Sequence, residues 1–584
     1  MATSSSIRGC NRVAKADVFT LEVVKDSLMA IGEEMFYALA RTSMSPIIYE
    51  VLDFASGLTD AKGQLLTQGN GVTGFIGMLT FMVKETLKKF EGDLKPGDII
   101  IINDPYGGGG SHLSDVGLVM PIFYEGELVA FAANKAHWTE VGGKDPGSWT
   151  TDSTEIYQEG LQFPAVKLFN EGQINQALVD ILAANVRFPD LSLGDMWAQV
   201  AGLRTGERRF QELCRKFGKD VVLQSVDYML DYGEQMAREE LKKLPKGVYQ
   251  AEDYIDDDGL GHGPLLVRCK VTITDDEFIV DFTGSHKQVP GPINCSFTGL
   301  VSAVRTVFLA ATNPGQDVND GVFRPLKIIA EKGSILNAER PAPVSTYWES
   351  MIFGADMVWK ALAPVLPDRL TAGHLESVCS VIVSGTHPDT NEPFLIVEPS
   401  VGGWGAGEGM DGQNGQFCLG DGETFNVPVE VAETRYGVRV QEYSLTNDGA
   451  GAGEYRGGAG AIRSYEALTD GQFVTASFGR NKYPVWGAAG GRDGSYNKIE
   501  IVRKDGTKEG PFGKVARKIL NKGDVVRLIT ATGGGYGDPL KRDPVKVAED
   551  VKNGWITIDQ ARDTYGVIVD PETYQVVGLA QGRS

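Results

Sequence analysis

Glycine is the residue that most constrains how this chain can fold. It occupies 73 of 584 positions, about twice the usual share in globular proteins. Much of it is concentrated in four runs: GGGGS at 107–111, VGGWGAGEGMDG at 401–412, DGAGAGEYRGGAGA at 448–461 and ATGGGYGD at 531–538. Because glycine lets one backbone approach another backbone or a ligand closely, these runs predict tight turns in a strand-rich, intertwined protein.

Length and composition indicate a globular chain with more than one substructure. The chain is several times longer than a typical domain of roughly 150 residues. Its hydrophobic content of 42% and charged content of 23% are close to the average for soluble proteins. The net charge is −21 and no lysine- or arginine-rich run interrupts it, so a surface that binds nucleic acid has no electrostatic basis.

Targeting signals are also missing from the sequence. No stretch reaches the roughly 18 apolar residues that a membrane span needs, and the start of the chain has no apolar core typical of a secretory signal. The six cysteines form no C-x-x-C pair, which fits a reducing compartment. We therefore expect a cytoplasmic protein.

The periodicity of apolar residues predicts a mixed α+β fold. Residues 17–45 carry an apolar stripe at intervals of three or four, which predicts an amphipathic helix ending before Pro46. Short apolar runs follow, and those at 116–124 and 127–138 predict a β-hairpin with a two-residue turn. The first region therefore combines an N-terminal helix with a mixed sheet.

The rest of the chain alternates between helical and strand patterns. Helical patterns occupy 173–242, 297–313, 347–365 and two short segments around Gly554. Asp195 is the expected cap of the second helix within 173–242. Period-two alternation begins near residue 247, and 425–540 is expected to be strand and glycine turn throughout. We predict three regions: an N-terminal α/β region at 1–245, a central α+β region at 246–420, and a glycine-rich β region with short C-terminal helices at 421–584.

Two of the six histidines stand where a metal site is plausible. GGGGSHLSDV places His112 three residues before Asp115, and NKAHWTEVGG places His137 at the end of the following hairpin. Two imidazoles and a carboxylate from neighbouring strand ends can converge on one cation, and such donors suit zinc, manganese or iron(II). Spacing alone also fits two polar histidines beside glycine turns, because H-x-x-D is a weak motif.

Three further carboxylates are close in sequence to this set. Asp53, in YEVLDFASGL, is the candidate for a fourth ligand. Glu140 and Asp104 are candidates for orienting the ligands or for acting as a base.

Several stretches, in this order, resemble the hydantoinase B/oxoprolinase family: DFASGLTDAKGQLLTQG, NDPYGGGGSHLSDVGLVMPIFYEGELVAFAANKAHWTEVGG, NVRFPDLSLGDMWAQ, VDFTGSHKQVPGPIN, NVPVEVAETRYGVRV, DGAGAGEYRGGAGAIR and GGGYGDP. Members of that family are subunits of ATP-dependent enzymes that open hydantoins, 5-oxoproline or caprolactam. Related subunits belong to acetone and acetophenone carboxylases. The resemblance implies a divalent metal held by His112, Asp115 and His137, with Asp53 in the DF motif as an additional ligand.

The chain contains no nucleotide-binding motif of its own. Neither G-x-x-x-x-G-K-[ST] nor a G-x-G-x-x-G in a strand–helix unit is present. The resemblance implies that ATP and magnesium bind to a hydantoinase A-like partner subunit, which phosphorylates the carbonyl oxygen of a small-molecule substrate and passes the activated compound to this chain. It also implies a hetero-oligomer with at least two copies of each subunit.

One position departs from the family pattern and leaves the reaction open. Phe75, in NGVTGFIGML, stands near a position where many hydrolase-type members have histidine, so a plain lactam or a ketone fits better than a hydantoin. Three functions remain: hydrolysis of an activated cyclic amide with Glu140 or Asp104 as base, carboxylation of a ketone, and a non-catalytic scaffold. Chain length favours hydrolysis, because the large subunits of the related acetone carboxylases are longer.

The remaining chemistry-bearing residues favour structural roles. His262, His286, His374 and His387 lie beside glycine, serine or proline and are expected at the surface or in turns. Cys295 has no histidine nearby in sequence and is expected to be a buried, inert thiol. Glu349, Glu408, Asp411 and Arg456 occur in motif-like segments that line a channel or an interface or serve the fold.

Overall fold

The computed structural model of the protein describes residues 16–69, 71–312, 317–580 and 583. Its architecture is mixed α+β, which confirms the predicted fold class, and the strands of the described residues form five sheets. None of the helices among them combines the length and apolar character that a membrane crossing requires. Residues 1–15 lie outside the described residues. They include Cys10 and the start of the chain, on which the prediction about a secretory signal depends.

The predicted N-terminal helix is present as α1 (Val18–Thr42), followed by the short α2 (Pro46–Tyr49). The side chain of Asp17 caps α1 by accepting a hydrogen bond from the backbone N–H of Thr20 at 3.1 Å. The predicted apolar stripe is buried in full: Leu21, Val24, Leu28, Ile31, Met35 and Leu39. Burial of this one face holds α1 against the sheet and α5.

The sheet at the centre of the first region has seven strands and is antiparallel throughout, not mixed as predicted, because each of its neighbouring strand pairs is antiparallel. Its elements are β1 (Phe54–Asp60), β2 (Leu65–Gln68), β3 (Ile99–Ile102), β4 (Asp115–Tyr124), β5 (Glu127–His137), β6 (Val166–Asn170) and β7 (Gln173–Ile174), with α3 (Met78–Lys89) packed on it. The strand order is β2-β1-β5-β4-β3-β6-β7. β4 and β5 are the predicted hairpin. Glu125 and Gly126 make its turn with φ of 52° and 81°, which matches the right-handed twist of the two strands.

The helices that cover this sheet are α4 (Gln176–Asn185), α5 (Pro189–Phe217) and α6 (Lys219–Lys243). The prediction that Asp195 caps a helix is wrong: α5 begins at Pro189, whose fixed φ suits the first helical position, so Asp195 lies inside it. The buried Asp195 carboxylate instead accepts hydrogen bonds from the backbone N–H groups of Met44 at 2.8 Å and Ser45 at 3.1 Å. It thereby fixes the segment between α1 and α2.

The central region consists of a small sheet and two apolar helices. Its elements are β8 (Gly247–Ile255), β9 (Leu265–Ile273), β10 (Phe278–Asp281), β11 (Leu326–Ile329), α7 (Phe297–Thr312) and α8 (Trp348–Leu362). The strands lie in the order β11-β10-β9-β8. α8 packs against β8, β9 and α7, and its N-terminus points toward the first sheet through Tyr347 and Trp348.

Two sheets dominate the remainder. Their elements are β12 (Ser380–Thr386), β13 (Pro393–Glu398), β14 (Val438–Thr446), β15 (Gly460–Ala467), β16 (Gln472–Ser477), β17 (Lys498–Val502), β18 (Lys508–Phe512), β19 (Lys514–Leu520) and β20 (Val525–Ile529). The orders are β13-β12-β16-β19 and β14-β15-β20-β17-β18. The segment 425–540 is not strand and turn throughout, because α9 (Val429–Arg435) starts directly after Pro428.

Three of the glycine runs interlock with one another. A Cβ atom at Gly533 would lie 2.0 Å from the carbonyl oxygen of Trp404, and one at Gly458 would lie 1.9 Å from the carbonyl oxygen of Gln413. The backbone N–H of Gly458 donates to Trp404, and that of Gly533 donates to Gly458, both at 2.9 Å. Glycine is therefore required here because backbones cross at distances that leave no room for a side chain.

The described chain closes with α10 (Pro544–Lys552), α11 (Ile558–Asp563), β21 (Val567–Val569) and β22 (Val576–Leu579). The two helices lie on either side of Gly554, as predicted. One continuous cluster of buried apolar side chains extends from α1 to residue 531 and crosses the predicted boundaries near 245 and 420. Those boundaries remain predictions, and the three regions share one hydrophobic core.

Candidate metal centre

The ends of three adjacent strands bring candidate ligands together at one edge of the first sheet. Asp115 begins β4 and His137 ends β5, and the two are direct partners across the hairpin. Asp53 immediately precedes β1, which pairs with the other side of β5. The backbone N–H of His137 donates to the carbonyl oxygen of Asp53 at 3.0 Å. Strand pairing alone therefore sets three of the four predicted ligands side by side.

The first glycine run delivers the fourth predicted ligand, His112. Gly109 has φ of 77°, and a Cβ atom at Gly110 would lie 2.3 Å from the carbonyl oxygen of Asn103. The chain can fold back tightly at this point only because these residues have no side chain. The backbone N–H of Asp115 then donates to the carbonyl of His112 at 3.3 Å, which closes the turn.

His112, Asp115 and His137 meet closely enough to bind one cation. One ligand atom from each lies within 4.8 Å of the others. His112 Nε2 lies 3.0 Å from Asp115 Oδ1, and the two imidazole centres are 5.0 Å apart. Ligand atoms at about 2.0–2.2 Å from a zinc-like cation lie on the order of 3 Å from one another, so the spacing suits such an ion.

Neighbouring groups orient the donor atoms. His112 Nδ1 lies 3.1 Å from the carbonyl oxygen of Ser345, and because a carbonyl only accepts, Nδ1 carries a proton, which leaves Nε2 as the nitrogen that faces Asp115 and can bind a cation. Asp115 Oδ2 accepts hydrogen bonds from Ser111 Oγ and from the Tyr347 hydroxyl, the latter at 3.2 Å. Oδ1 is thereby left for His112 or for a cation.

One nitrogen of the set is buried without a partner. His137 Nδ1 makes no hydrogen bond within the described part of the chain. A buried polar atom without a partner costs about 1–3 kcal/mol, so this nitrogen calls for a bound species. A divalent cation satisfies such a nitrogen, and the residues present therefore fit a metal ion.

The protonation states also suit cation binding. Burial and the charge of His112 lower the pKa of His137 to about 4, so its imidazole is neutral near pH 7. Burial alone would raise the pKa of Asp115, but contact with His112 outweighs it and the pKa falls below the ordinary value. A neutral imidazole and an ionised carboxylate are the forms that bind metal.

Asp53 lines the cavity around these residues but is not one of the three that meet most closely. Loss of hydration and the nearby carboxylates of Asp115 and Asp421 raise its pKa well above the ordinary value. Carboxylates gathered in this way repel one another in their ionised forms. A cation among them would relieve that repulsion, which is the electrostatic argument for Asp53 as a further ligand.

The structure does not bring Glu140 or Asp104 to this cavity. The buried Glu140 forms an ion pair with Arg187 at 3.0 Å and accepts the backbone N–H of the same residue. Asp104 forms an ion pair with Arg340 at 3.1 Å. Both carboxylates are engaged by arginines outside the cavity lining, because the chain turns away from the sheet edge before Glu140 and after Asp104.

Sequence reasoning missed several residues beside the ligands. Lys135 is buried two positions before His137 on β5, with its Nζ 3.3 Å from the Gly109 carbonyl and 5.4 Å from the centre of the Phe75 ring. Burial lowers the pKa of Lys135 to about 8, against the opposing charges of Asp115 and Asp53. The period of two along a strand could have indicated Lys135, since it shares a face with His137.

Other cavity residues come from distant parts of the chain and had no local signal. The cavity has a volume of about 50 Å³, enough for a few water molecules. Its non-ligand lining includes Phe75, Trp149, Tyr347, Trp348, Glu398 and Asp421. The walls thus combine aromatic and aliphatic side chains, with carboxyl groups at a few points.

The remaining histidines largely follow the sequence prediction. His262 and His286 are exposed and His387 is half-buried. His374 differs: it is buried, burial lowers its pKa to about 3, and its Nε2 accepts the backbone N–H of Leu419 at 3.2 Å. It supports the loop that carries Asp421. Cys295 is buried with a raised pKa, as expected for an inert thiol.

Fold and site together define a mixed α+β protein with a buried cluster of two histidines and a carboxylate at the edge of an antiparallel sheet. The hydantoinase B/oxoprolinase family matches residues 17–539, and the chain belongs to that family. This confirms the resemblance found in the sequence motifs.

Individual relatives agree over almost the full length. One subunit of a putative D-/L-hydantoinase from Pseudomonas sp. (strain NS671) is 36% identical over 576 residues, which cover 95% of this chain and 96% of that protein. The crystal structure of ATP-dependent caprolactamase from Pseudomonas jessenii has a TM-score of 0.89 and 31% identity, and the match covers 95% of this chain and 97% of that one. The nucleotide-free structure of acetone carboxylase has a TM-score of 0.88 at 18% identity, covering 96% and 81%, which is a likeness of fold.

Proposed function

We propose that this chain is the metal-binding subunit of a multi-subunit, ATP-dependent enzyme that hydrolyses a phosphorylation-activated cyclic amide. The observation that carries the proposal is the convergence of His112, Asp115 and His137 around a buried nitrogen without a partner. Asp53 is the additional ligand. Zinc, manganese or iron suits the donors, and ATP with magnesium is assigned to a hydantoinase A-like partner.

The residues of this chain prepare the site in two ways. The Ser345 carbonyl and the Tyr347 hydroxyl hold His112 and Asp115 in fixed orientations. The aromatic walls limit the access of water. When bound, a divalent cation would polarise a carbonyl group and lower the pKa of water from about 15.7 toward about 7.

Proton transfer is assigned to a carboxyl group inside the cavity. Asp421 lines it, and burial raises the pKa of Asp421 to about 7, where a group can both accept and release protons near neutral pH. Glu140 and Asp104 were the candidates from sequence. Their arginine partners and their absence from the cavity lining favour positioning roles, with Glu140 holding Arg187.

The apolar character of the cavity favours a lactam with few polar groups. Phe75 is buried and lines the cavity, and the caprolactamase from Pseudomonas jessenii is a relative with the same fold. Carboxylation of a ketone is the second candidate, since acetone carboxylase shares the fold. Incorporation of labelled bicarbonate into a ketone, with no lactam opened, would favour that alternative.

Location and assembly are part of the same proposal. We assign the chain to the cytoplasm and to a hetero-oligomer with at least two copies of each subunit. The five described cysteines are all buried and unpaired, which fits a reducing compartment. The caprolactamase and hydantoinase relatives are named as subunits or as ATP-dependent enzymes, which supports a partner.

The decisive experiment measures bound metal and lactam opening in parallel. His112→Ala and His137→Ala are expected to lose stoichiometric cation and to abolish ring opening by the assembled enzyme, while ATP binding to the partner survives. His286→Ala, at an exposed histidine without a carboxylate partner among the described residues, is the control and should behave as wild type. Full ring opening by a metal-free double variant would overturn the proposal, and a wild-type chain without any cation would favour a scaffold role.

A further inference from the structure

A second cavity lies directly beside the metal cavity. It has a volume of about 270 Å³, close to the lower end of small-molecule pockets. We call it the vestibule, and its walls include Ile47, Phe188, Leu191, Leu395, Val397 and Tyr436, with Arg435 at its rim. These residues come from α2, the start of α5, β13 and the end of α9.

The two cavities share part of their lining. Ile47 and Val397 line both of them. The next residue of β13, Glu398, faces the metal cavity, and Thr139 of the vestibule follows His137 by two positions. A molecule in the vestibule therefore lies against side chains that also line the cavity of the candidate metal ligands.

The vestibule has apolar walls and a charged rim, and this difference indicates a ligand that binds in one orientation. Its walls are apolar except for Thr139, whereas its rim carries the exposed Arg435. The Arg435 guanidinium carbon lies 5.6 Å from the centre of the Tyr49 ring, and no described carboxylate lies within 4.0 Å of the guanidinium nitrogens. In a chain with a net charge of −21, a cation without a carboxylate partner beside an apolar cavity is suited to an anionic ligand group.

We infer that the vestibule is the substrate-binding chamber of the metal site and that it takes a small apolar ring compound bearing an anionic oxygen group. The ring lies against the aliphatic and aromatic walls, and the anion pairs with Arg435. This inference rests on the proposed function for the identity of the reacting group. The anion is either a carboxylate of the substrate or a phosphoryl group added during activation, since both offer the same paired oxygens to a guanidinium.

Ligand binding to the metal-stripped subunit tests the chamber without any catalysis. The probes are a seven-membered lactam, the same ring carrying a carboxylate, and cyclohexyl phosphate, each followed by saturation-transfer NMR. Leu191→Trp fills the vestibule from a half-buried position, and it is expected to weaken binding of all three probes at least about fivefold. Thermal unfolding confirms that the variant is folded, and Val397→Phe provides a second way to fill the chamber.

Charge recognition is tested at the rim. Arg435→Gln is expected to weaken the anionic probes about tenfold, the usual scale for loss of one charge-assisted hydrogen bond, and to leave the neutral lactam within about twofold. Arg439→Gln is the matched control, because Arg439 is exposed on β14 and pairs with Glu466. The anionic probe that binds more tightly to wild type identifies the anion as a carboxylate or a phosphoryl group. Either result supports the inference.

The outcomes separate this inference from the proposed function. Metal content is measured in every variant. Suppose that the chain contains stoichiometric metal and that neither Leu191→Trp nor Arg435→Gln alters probe binding. This result would overturn the inference about the vestibule and leave the metal proposal intact. Probe binding that depends on these residues, in a chain whose wild-type form contains no cation as purified and before stripping, would support the chamber and overturn the metal proposal.

Discussion

Asp115 and His137 are direct partners across the β4–β5 hairpin, at the end of the hairpin opposite its turn. Their backbones are held by the hydrogen bonds of the ladder, so their side chains leave the sheet from neighbouring positions on one edge. His112, three residues before Asp115, and Asp53, bonded through its carbonyl to His137, complete the group. The candidate metal centre is thus attached to the most regular part of the first sheet.

The Tyr347 hydroxyl is expected to tune metal affinity through Asp115. Tyr347→Phe removes the 3.2 Å hydrogen bond to Asp115 Oδ2 and should weaken zinc binding about tenfold, as is usual for loss of a group that orients a ligand. Competition with a chromogenic chelator measures the change. Tyr232→Phe, at an exposed tyrosine on α6, serves as the control, and equal affinities of the two variants would contradict the role.

Glu159 is expected to position His112 through the backbone. Its buried carboxylate accepts the N–H groups of Val344 and Ser345, each at 3.0 Å, and the Ser345 carbonyl in turn orients His112. Glu159→Ala leaves three buried donors unpaired, these two N–H groups and the hydroxyl of Ser153, and should cost at least about 2–3 kcal/mol of unfolding free energy, with weaker metal binding. Glu159→Gln should recover part of both losses.

The measurements for Glu159 are urea unfolding and chelator competition on the same samples. Glu155→Ala, four residues earlier and exposed, is the control. A loss of stability in Glu159→Ala with unchanged metal affinity would show that the carboxylate serves the fold alone.

Acid is expected to destabilise the metal-free protein through His137. Its pKa is about 4 in the folded chain because of burial and the charge of His112, against about 6.5 when unfolded. The unfolded state therefore binds the proton more readily, and the free energy of unfolding falls as the pH drops from about 6.5 to about 4, by up to about 3 kcal/mol. His137→Gln should show a shallower fall over this window.

Urea unfolding at several pH values between 4 and 7 measures the difference for His137. The exposed His286, changed to glutamine, is the control and should keep the wild-type slope. If His137→Gln and wild type lose stability in parallel, the imidazole does not titrate as proposed.

The interlocked glycine runs are expected to be intolerant of a methyl group. A Cβ atom at Gly533 would lie 2.0 Å from the Trp404 carbonyl oxygen, so Gly533→Ala must displace a backbone and should cost more than about 3 kcal/mol. Gly107→Ala is the matched control, since no atom lies within 4 Å of its Cβ position. Thermal unfolding of both variants measures the effect, and similar melting temperatures would refute the interlock.

Local patterns in the sequence were sufficient to predict much of this protein. The stripe of α1, the β4–β5 hairpin and the helices on either side of Gly554 follow from periodicity and turn residues, which act over a few neighbours. The same short range relates Asp115 to His137, because a hairpin pairs residues that are close in sequence. Motif resemblance supplied the family and Asp53.

The tertiary structure alone decided which other groups surround the candidate ligands. Tyr347 and Asp421 lie beside the sheet edge although they are more than 200 residues away from the ligands in sequence. Arg435 and Val397 of the vestibule are equally distant in sequence. Such contacts depend on the packing of one shared core, which no local pattern records. Glu140 shows the converse, since closeness in sequence to His137 did not prevent Arg187 from holding its carboxylate outside the cavity. Sequence determined the donors and their hairpin, and long-range packing determined the walls, the orienting groups and the approach to the site.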